Sequence, residues 1–150
     1  MQEDYPQNIK LNLALLFHLS NQFKDQLIGK YFSGIGVTAA QFKVLINIYR
    51  GVVIPAEICK HLQMDTGAMS RMISRMANSQ LIERHPDPQN KRQVRLGLTD
   101  KGREICQSFE SVALADILGD LTARLAPEEV NQLTGLLLKL LPDEFTARFR

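Results

Sequence analysis

Between Leu81 and Leu98 the chain abandons the helical spacing of apolar residues that runs through the rest of it, and this interruption constrains the fold most. Pro86 and Pro88 exclude a helix there, because each lacks a backbone donor and its ring clashes with the preceding turn. On one side, Leu81-Ile82-Glu83-Arg84 reads as a short strand. On the other, Val94, Leu96 and Leu98 alternate with Arg95 and Gly97, the period of two that a returning hairpin partner requires. The segment between them, His85 to Arg92, reads as a solvent-exposed loop. One hairpin in a chain of helices makes a fold that is mainly α.

The helical remainder divides at punctuation residues. From about Ile9 to Phe32, Leu13, Leu16, Phe17, Ser20, Phe23, Leu27 and Ile28 recur three and four apart, which predicts one long helix. Ser33-Gly34-Ile35-Gly36 breaks it. Thr38 and Gln41 then form a capping box, in which each side chain takes up a backbone amide left free at the helix start. The helix they open carries a stripe of Phe42, Leu45, Ile46 and Tyr49 and stops at Gly51. Pro55 suits the first position of a short third helix that ends near Leu62, with Ile58 and Leu62 inward and Glu57 in the first turn. Ile54 is a poor cap for it. Asp65 caps a fourth helix running to about Gln80, with Met69, Met72, Ile73 and Met76 on one face. After the hairpin, Thr99-Asp100-Lys101-Gly102 starts a long helix with Ile105, Phe109, Val112, Ile117, Leu121 and Leu125 on its apolar side. Pro127-Glu128-Glu129 opens the last helix. Its stripe is Val130, Leu133, Leu137, Leu140 and Leu141, widened by Leu136 and Leu138, before Pro142 interrupts it.

Charge is unevenly spread along this framework. Eight basic residues against three acidic ones give the stretch from Thr66 to Arg103 a charge of +5, although all 150 residues together carry +2. A basic centre between neutral or acidic arms suits a phosphate-binding module held between assembly elements. Enzyme chemistry has no comparable signal: HExxH, CxxC, GxSxG and GxxxxGK are all absent from the sequence. His18, His61 and His85 fall on separate elements without metal-ligand spacing, so no catalytic residue, metal or cofactor is expected. Cys59 and Cys106 are too few for a disulfide framework and read as free thiols of a reducing cytoplasm. No apolar run approaches the ~18 residues that a membrane span needs. The opening Met1-Gln2-Glu3-Asp4-Tyr5-Pro6 is acidic where a secretory signal would be basic, and a cytoplasmic location is expected.

The fourth helix gives the basic centre a shape. Opposite its methionines it presents Gly67, Ser70, Arg71, Ser74, Arg75 and Asn78, which are small or polar residues together with two arginines. A helix of this kind fits the major groove of B-DNA, where arginine pairs bidentately with guanine and serine bonds to either type of base. Lys91-Arg92 near the end of the loop can neutralise phosphate or enter a narrow minor groove. Three short helices followed by a hairpin is the order of a winged helix-turn-helix.

Thr38-Ala39-Ala40-Gln41-Phe42-Lys43-Val44-Leu45, Gly67-Ala68, Arg71-Met72, Glu83-Arg84, Lys91-Arg92 and Leu98-Thr99-x-x-Gly102 follow one another as in the MarR family of winged-helix transcriptional regulators. The chain resembles that family from its first helix to Leu141-Pro142. The resemblance implies a mainly α fold with a small β-hairpin wing and one domain over 1–150. Within it, 36–100 would form a winged helix-turn-helix DNA-binding lobe, and 1–35 with 101–150 a helical dimerisation lobe. It further implies a homodimer on a palindromic operator in double-stranded DNA, acting as a repressor that a ligand relieves. The implied DNA-contacting set is Thr66, Gly67, Ser70, Arg71, Ser74, Arg75, Lys91, Arg92 and Arg95, with Ser70, Arg71 and Ser74 at base edges and Arg92 at the wing tip. Family wings carry an Asp two residues before that Arg. Asn90 stands there in this sequence, a neutral amide that holds Arg92 less firmly, with Asp87 near enough to substitute.

The leucines of the last helix exceed what one flank of a small domain buries. Each one left exposed forfeits roughly 1.5–3 kcal/mol, so they argue for a partner surface, and a two-fold dimer is the default assembly. The resemblance also implies a small phenolic or aromatic carboxylate effector, which needs a guanidinium beside apolar surface. The family's ligand-contacting positions correspond here to Pro55, Ser70 and Arg84, and to Ala68, Met72 and Arg75. A second candidate is the cleft where the first helix meets the second and fifth, walled by Phe17 and His18. Two other readings compete: a helical protein-interaction module, which leucine stripes would also serve, and a redox-sensing regulator switched through Cys59 or Cys106.

Overall fold

The computed structural model describes residues 9–149, with side chains from residue 12 onward, so the acidic opening of the chain lies outside the described residues. Helices α1 (Ile9–Phe32), α2 (Ala39–Tyr49), α3 (Pro55–Leu62) and α4 (Thr66–Asn78) lead into an antiparallel pair, β1 (Ile82–Pro86) and β2 (Val94–Leu98). Helices α5 (Asp100–Ser108), α6 (Leu114–Leu121), α7 (Pro127–Leu140) and the short α8 (Asp143–Thr146) complete the chain. The architecture is mainly α with a single hairpin.

Helix starts follow the capping residues. Thr38 Oγ1 accepts from the Gln41 N–H and Gln41 Oε1 accepts from the Thr38 N–H, both at 3.1 Å, closing the capping box. Asp65 accepts from the Ala68 N–H at 3.0 Å. Ile54 makes no side-chain cap, and Pro55 at the first position of α3 removes one donor that would otherwise need a partner. Helix α4 ends at Asn78, two residues short of the expected boundary. Gln80 adopts φ +59°, a left-handed conformation that turns the chain into β1.

Burial corrects two of the stripes expected from sequence. In α2, Val44 and Ile48 are buried together with Phe42, Leu45 and Ile46, while Tyr49 sits at the margin. This helix runs through the centre of the core, touching α1, α3, α5 and β2, so one face does not suffice for it. The Phe32, Phe42 and Phe109 rings stack at its flank, with centroids 4.6 Å and 4.3 Å apart for the two closer pairs. The second correction falls between α5 and α6, which a π-helical turn at Phe109–Ala113 joins into one rod. One buried row there runs through Ile105, Phe109, Ala113 and Ile117, each four apart. Four α-helical residues overshoot a full turn by about 40°, and the wider π turn cancels that drift. Val112 is consequently turned outward, 59% exposed, and Ala113 takes the inward place.

The hairpin pairs Ile82 with Leu98 through to Pro86 with Val94. Strand β1 thus reaches two residues past Arg84, because a proline at the edge of a two-stranded pair sacrifices no interior hydrogen bond. The Leu96 N–H donates to the Val53 carbonyl at 2.8 Å, fixing β2 to the connection between α2 and α3. At the base of the hairpin, Thr99 Oγ1 donates towards the carbonyls of Gln80 (2.6 Å) and Leu81 (3.1 Å) and accepts from the Gly102 N–H (3.1 Å). The end of the α4 turn, the end of β2 and the start of α5 meet at this one hydroxyl.

The remaining apolar surface is uncovered. No residue of α7 is buried, and Leu136 is 64% exposed. Leu133, Leu138 and Leu140 join it, as do Leu13, Leu16 and Phe23 of α1 and Leu118 of α6. Among the described residues, no helix is long and apolar enough to cross a membrane.

Candidate nucleic-acid interface

Helix α4 divides by face as its periodicity requires. Met69, Ile73 and Met76 are buried and Met72 packs half-buried against the same core. Thr66, Ser70, Arg71, Ser74 and Arg75 are exposed on the other side, with Gly67 half-buried among them. A Cβ at Gly67 would lie 3.1 Å from Asp65 Oδ2 and 3.3 Å from Arg71 Nη1, so the absent side chain leaves room for the Arg71 guanidinium beside the cap. Lys91, Arg92 and Arg95 are exposed on the hairpin. Among the described residues none of Arg71, Arg75, Lys91, Arg92 and Arg95 is ion-paired, so their charge is available to an external anion.

The wing tip is held by side chains that fold back on the backbone. Asp87 Oδ1 accepts from the Gln89 N–H at 2.9 Å, and Asn90 Oδ1 accepts from the Arg92 N–H at 3.1 Å. Asp87 does not take the place of the missing wing carboxylate, since among the described residues no ion pair joins it to Arg92. Asn90 secures the backbone of Arg92 rather than its guanidinium, an Asx turn that any short side-chain oxygen can make.

A cavity of about 530 Å³ lies beneath α4, between it, α3 and the hairpin. Its walls include Pro55, Ser70 and Arg84, three of the six residues that the family resemblance implies for an effector. Cys59, Ile73 and Leu96 supply apolar surface beside the Arg84 guanidinium. Thr66, expected at DNA, also lines it. Ala68, Met72 and Arg75 are not among its walls: Met72 belongs to the core margin and Arg75 to the exposed face of α4. Phe17 and His18 lie exposed on α1 and do not join it either. The contribution of Cys59 was not evident beforehand, and the signal for it was its place one step from Ile58 on the inner side of α3.

One bond ties the cavity to the outer face of α4. Arg84 Nη2 donates to Ser74 Oγ at 2.8 Å, so a side chain of the hairpin holds a residue of the helix. Both thiols are buried, although Cys59 faces the cavity. Cys106 is fully buried, and burial followed by the nearby Glu110 carboxylate pushes its pKa up to about 11, against the weaker pull of Arg103 and Arg50. Cys59 is buried and donates to the Met64 carbonyl at 2.9 Å. Reactive cysteines sit in electropositive, partly exposed places that favour the thiolate; Cys106 does not.

Comparison with known proteins places these features. The MarR family profile matches residues 35–93. The multiple antibiotic resistance protein MarR of Escherichia coli is 41% identical over 131 residues, covering 87% of this chain and 91% of its own length. The HTH-type transcriptional regulator MgrA of Staphylococcus aureus is 29% identical over 140 residues, covering 89% of this chain and 90% of its own. Among solved structures, wild-type apo MarR from E. coli superposes with a TM-score of 0.81 at 40% identity, covering 87% of this chain and 97% of that one. A single-substitution mutant of the same protein complexed with operator DNA superposes with a TM-score of 0.78 at 39% identity, covering 92% and 99%.

Proposed function

This chain belongs to the MarR family, and from that premise we propose that it is a DNA-binding transcriptional repressor that reads its operator with α4 and the β1–β2 wing. The observation that carries the reading is the outer face of α4. Ser70, Arg71, Ser74 and Arg75 stand exposed and, among the described residues, without acidic partners, on a helix whose methionines anchor it, next to a hairpin bearing Lys91, Arg92 and Arg95. Ser70, Arg71 and Ser74 meet base edges in the major groove, with Thr66, Gly67 and Arg75 at its margins. Lys91, Arg92 and Arg95 contact phosphates and the flanking minor groove.

The protein acts as a homodimer in the cytoplasm on a palindromic operator. Residues 36–100 form its DNA-binding lobe, and 1–35 with 101–150 its dimerisation lobe. The bare leucines of α7 and the uncovered face of α1 support the dimer, because a two-fold partner buries both at once. Such a dimer sets two reading helices about 34 Å apart, one turn of DNA. A small phenolic or aromatic carboxylate relieves repression from the cavity under α4, its charge on Arg84 and its ring against Ile73 and Leu96. Engaging Arg84 competes with the bond to Ser74, so a bound effector prefers an arrangement of α4 other than the one that fits the operator.

Selection of bound sequences from random duplexes, with and without salicylate, tests the reading. Near-palindromic winners, affinity falling steeply with salt, and release by salicylate are expected. Failure to retain any duplex at low salt overturns it.

A further inference from the structure

A second, smaller cavity of about 350 Å³ lies at the opposite end of α2 from its cap, where Arg148 and Phe149 come back to it. It is lined by Asn47, Arg50, Val52, Arg148 and Phe149. Two guanidiniums converge there on one aromatic ring. Arg50 lies 5.6 Å and Arg148 4.7 Å from the Phe149 centroid, both within cation–π range. Neither arginine is ion-paired among the described residues. Arg148 Nη1 is held 2.8 Å from Nδ1 of His61, on α3, a neighbour that brings no negative charge to the guanidinium. Asn47 spends one amide hydrogen on the Lys43 carbonyl at 2.8 Å and has a second to donate.

Like charges gathered on one ring with no carboxylate paired to them among the described residues are favourable mainly when an anion joins them. The ring and Val52 add an apolar wall that inorganic anions cannot use. We infer that this cavity is a second ligand site, binding a small amphipathic carboxylate between Arg50 and Arg148 with its apolar part against Phe149 and Val52. The ligand joins the tail that follows α7 to the end of α2, linking the exposed helical arm to the centre of the core. The site shares no residue with the cavity under α4 and stands independently of DNA binding.

Benzoate titrated into the intact protein, followed by NMR at the Asn47 side-chain amide and the Val52 methyls, tests the site. Saturable shifts are expected. Arg50→Gln and Arg148→Gln should each weaken them about tenfold, the loss of one charged hydrogen bond. Arg84→Gln should leave them unchanged. Acetate, which lacks the ring, should bind more weakly, and phosphate more weakly still. All the substituted residues are exposed, so loss of the fold does not confuse the result. Shifts that do not saturate, that survive in the Arg50→Gln/Arg148→Gln double variant, or that phosphate reproduces at equal concentration overturn the inference.

Discussion

Arg84 and Ser74, ten residues apart, are joined by a 2.8 Å hydrogen bond that links the β1–β2 hairpin to α4. Because Arg84 also lines the cavity under α4, this one side chain joins the proposed effector site to the proposed DNA-reading face. Arg84→Met keeps the aliphatic stem and removes the charge. Salicylate affinity, measured by calorimetry, should fall about tenfold, and operator affinity severalfold as Ser74 loses its anchor. Unchanged salicylate binding would place the effector elsewhere.

Two arginines of the proposed interface, Arg71 and Arg92, should fail in different ways. Arg71→Ala is expected to cost about 1–3 kcal/mol and to relax preference at one base position. Arg92→Ala should weaken all duplexes alike and lower the slope of affinity against salt by about one phosphate contact. Fluorescence anisotropy on operator and scrambled duplexes at several salt concentrations separates the two. Equal loss on both duplexes for Arg71→Ala would remove it from base reading.

The start of α5 presses against the turn before β1. A Cβ built on Gly102 would overlap the Leu81 carbonyl, and that carbonyl is backbone with nowhere to retreat. Gly102→Ala should therefore destabilise by about 2–3 kcal/mol despite alanine's better helix propensity, read from chemical denaturation. A neutral result would mean that α5 shifts freely along the hairpin.

Leu136, the most exposed leucine of α7, gives the proposed dimer its sharpest test. In a monomer Leu136→Lys is a harmless surface change. Under a two-fold partner it buries a charge, so sedimentation should show dissociation at micromolar concentration and operator affinity should collapse with it.

Cys106 adds a pH dependence. Its thiol titrates near 11 in the folded protein and near 9.0 when exposed, so the folded state keeps a proton that the unfolded chain loses. That contribution to stability is complete below about pH 9 and is lost as the pH rises towards 11. Cys106→Ala should melt lower at neutral pH and decline less steeply across that window. Parallel curves for the two proteins would show that the thiol is not held neutral.

Much of the framework was legible in the sequence because it rests on local chemistry. The Thr38–Gln41 box, Asp65 and Thr99 each fix a helix start through bonds spanning three residues, and short-range geometry is what spacing encodes. The exposed face of α4 followed from the 100° step alone. What escaped was decided by neighbours distant in sequence. Val112 matches the apolar pattern of α5, but the π turn presents Ala113 to the core instead. Val44 and Ile48 are buried because α2 is enclosed on several sides, and no single helix can report its own enclosure. Arg84 looked like a ligand contact, yet its bond to Ser74 depends on how the hairpin leans. Asp87 was near enough in sequence to replace the wing carboxylate, but in the folded turn it caps the Gln89 N–H and makes no ion pair with Arg92.

The clasp at Thr99 has a consequence for how such proteins diversify. Both ends of the hairpin are pinned at one hydroxyl, so residues inserted or deleted between Pro86 and Val94 change its reach without moving the helices on either side. Lineages descended from such a chain are free to lengthen, shorten or recharge that finger for new target sites while inheriting the rest of the scaffold intact.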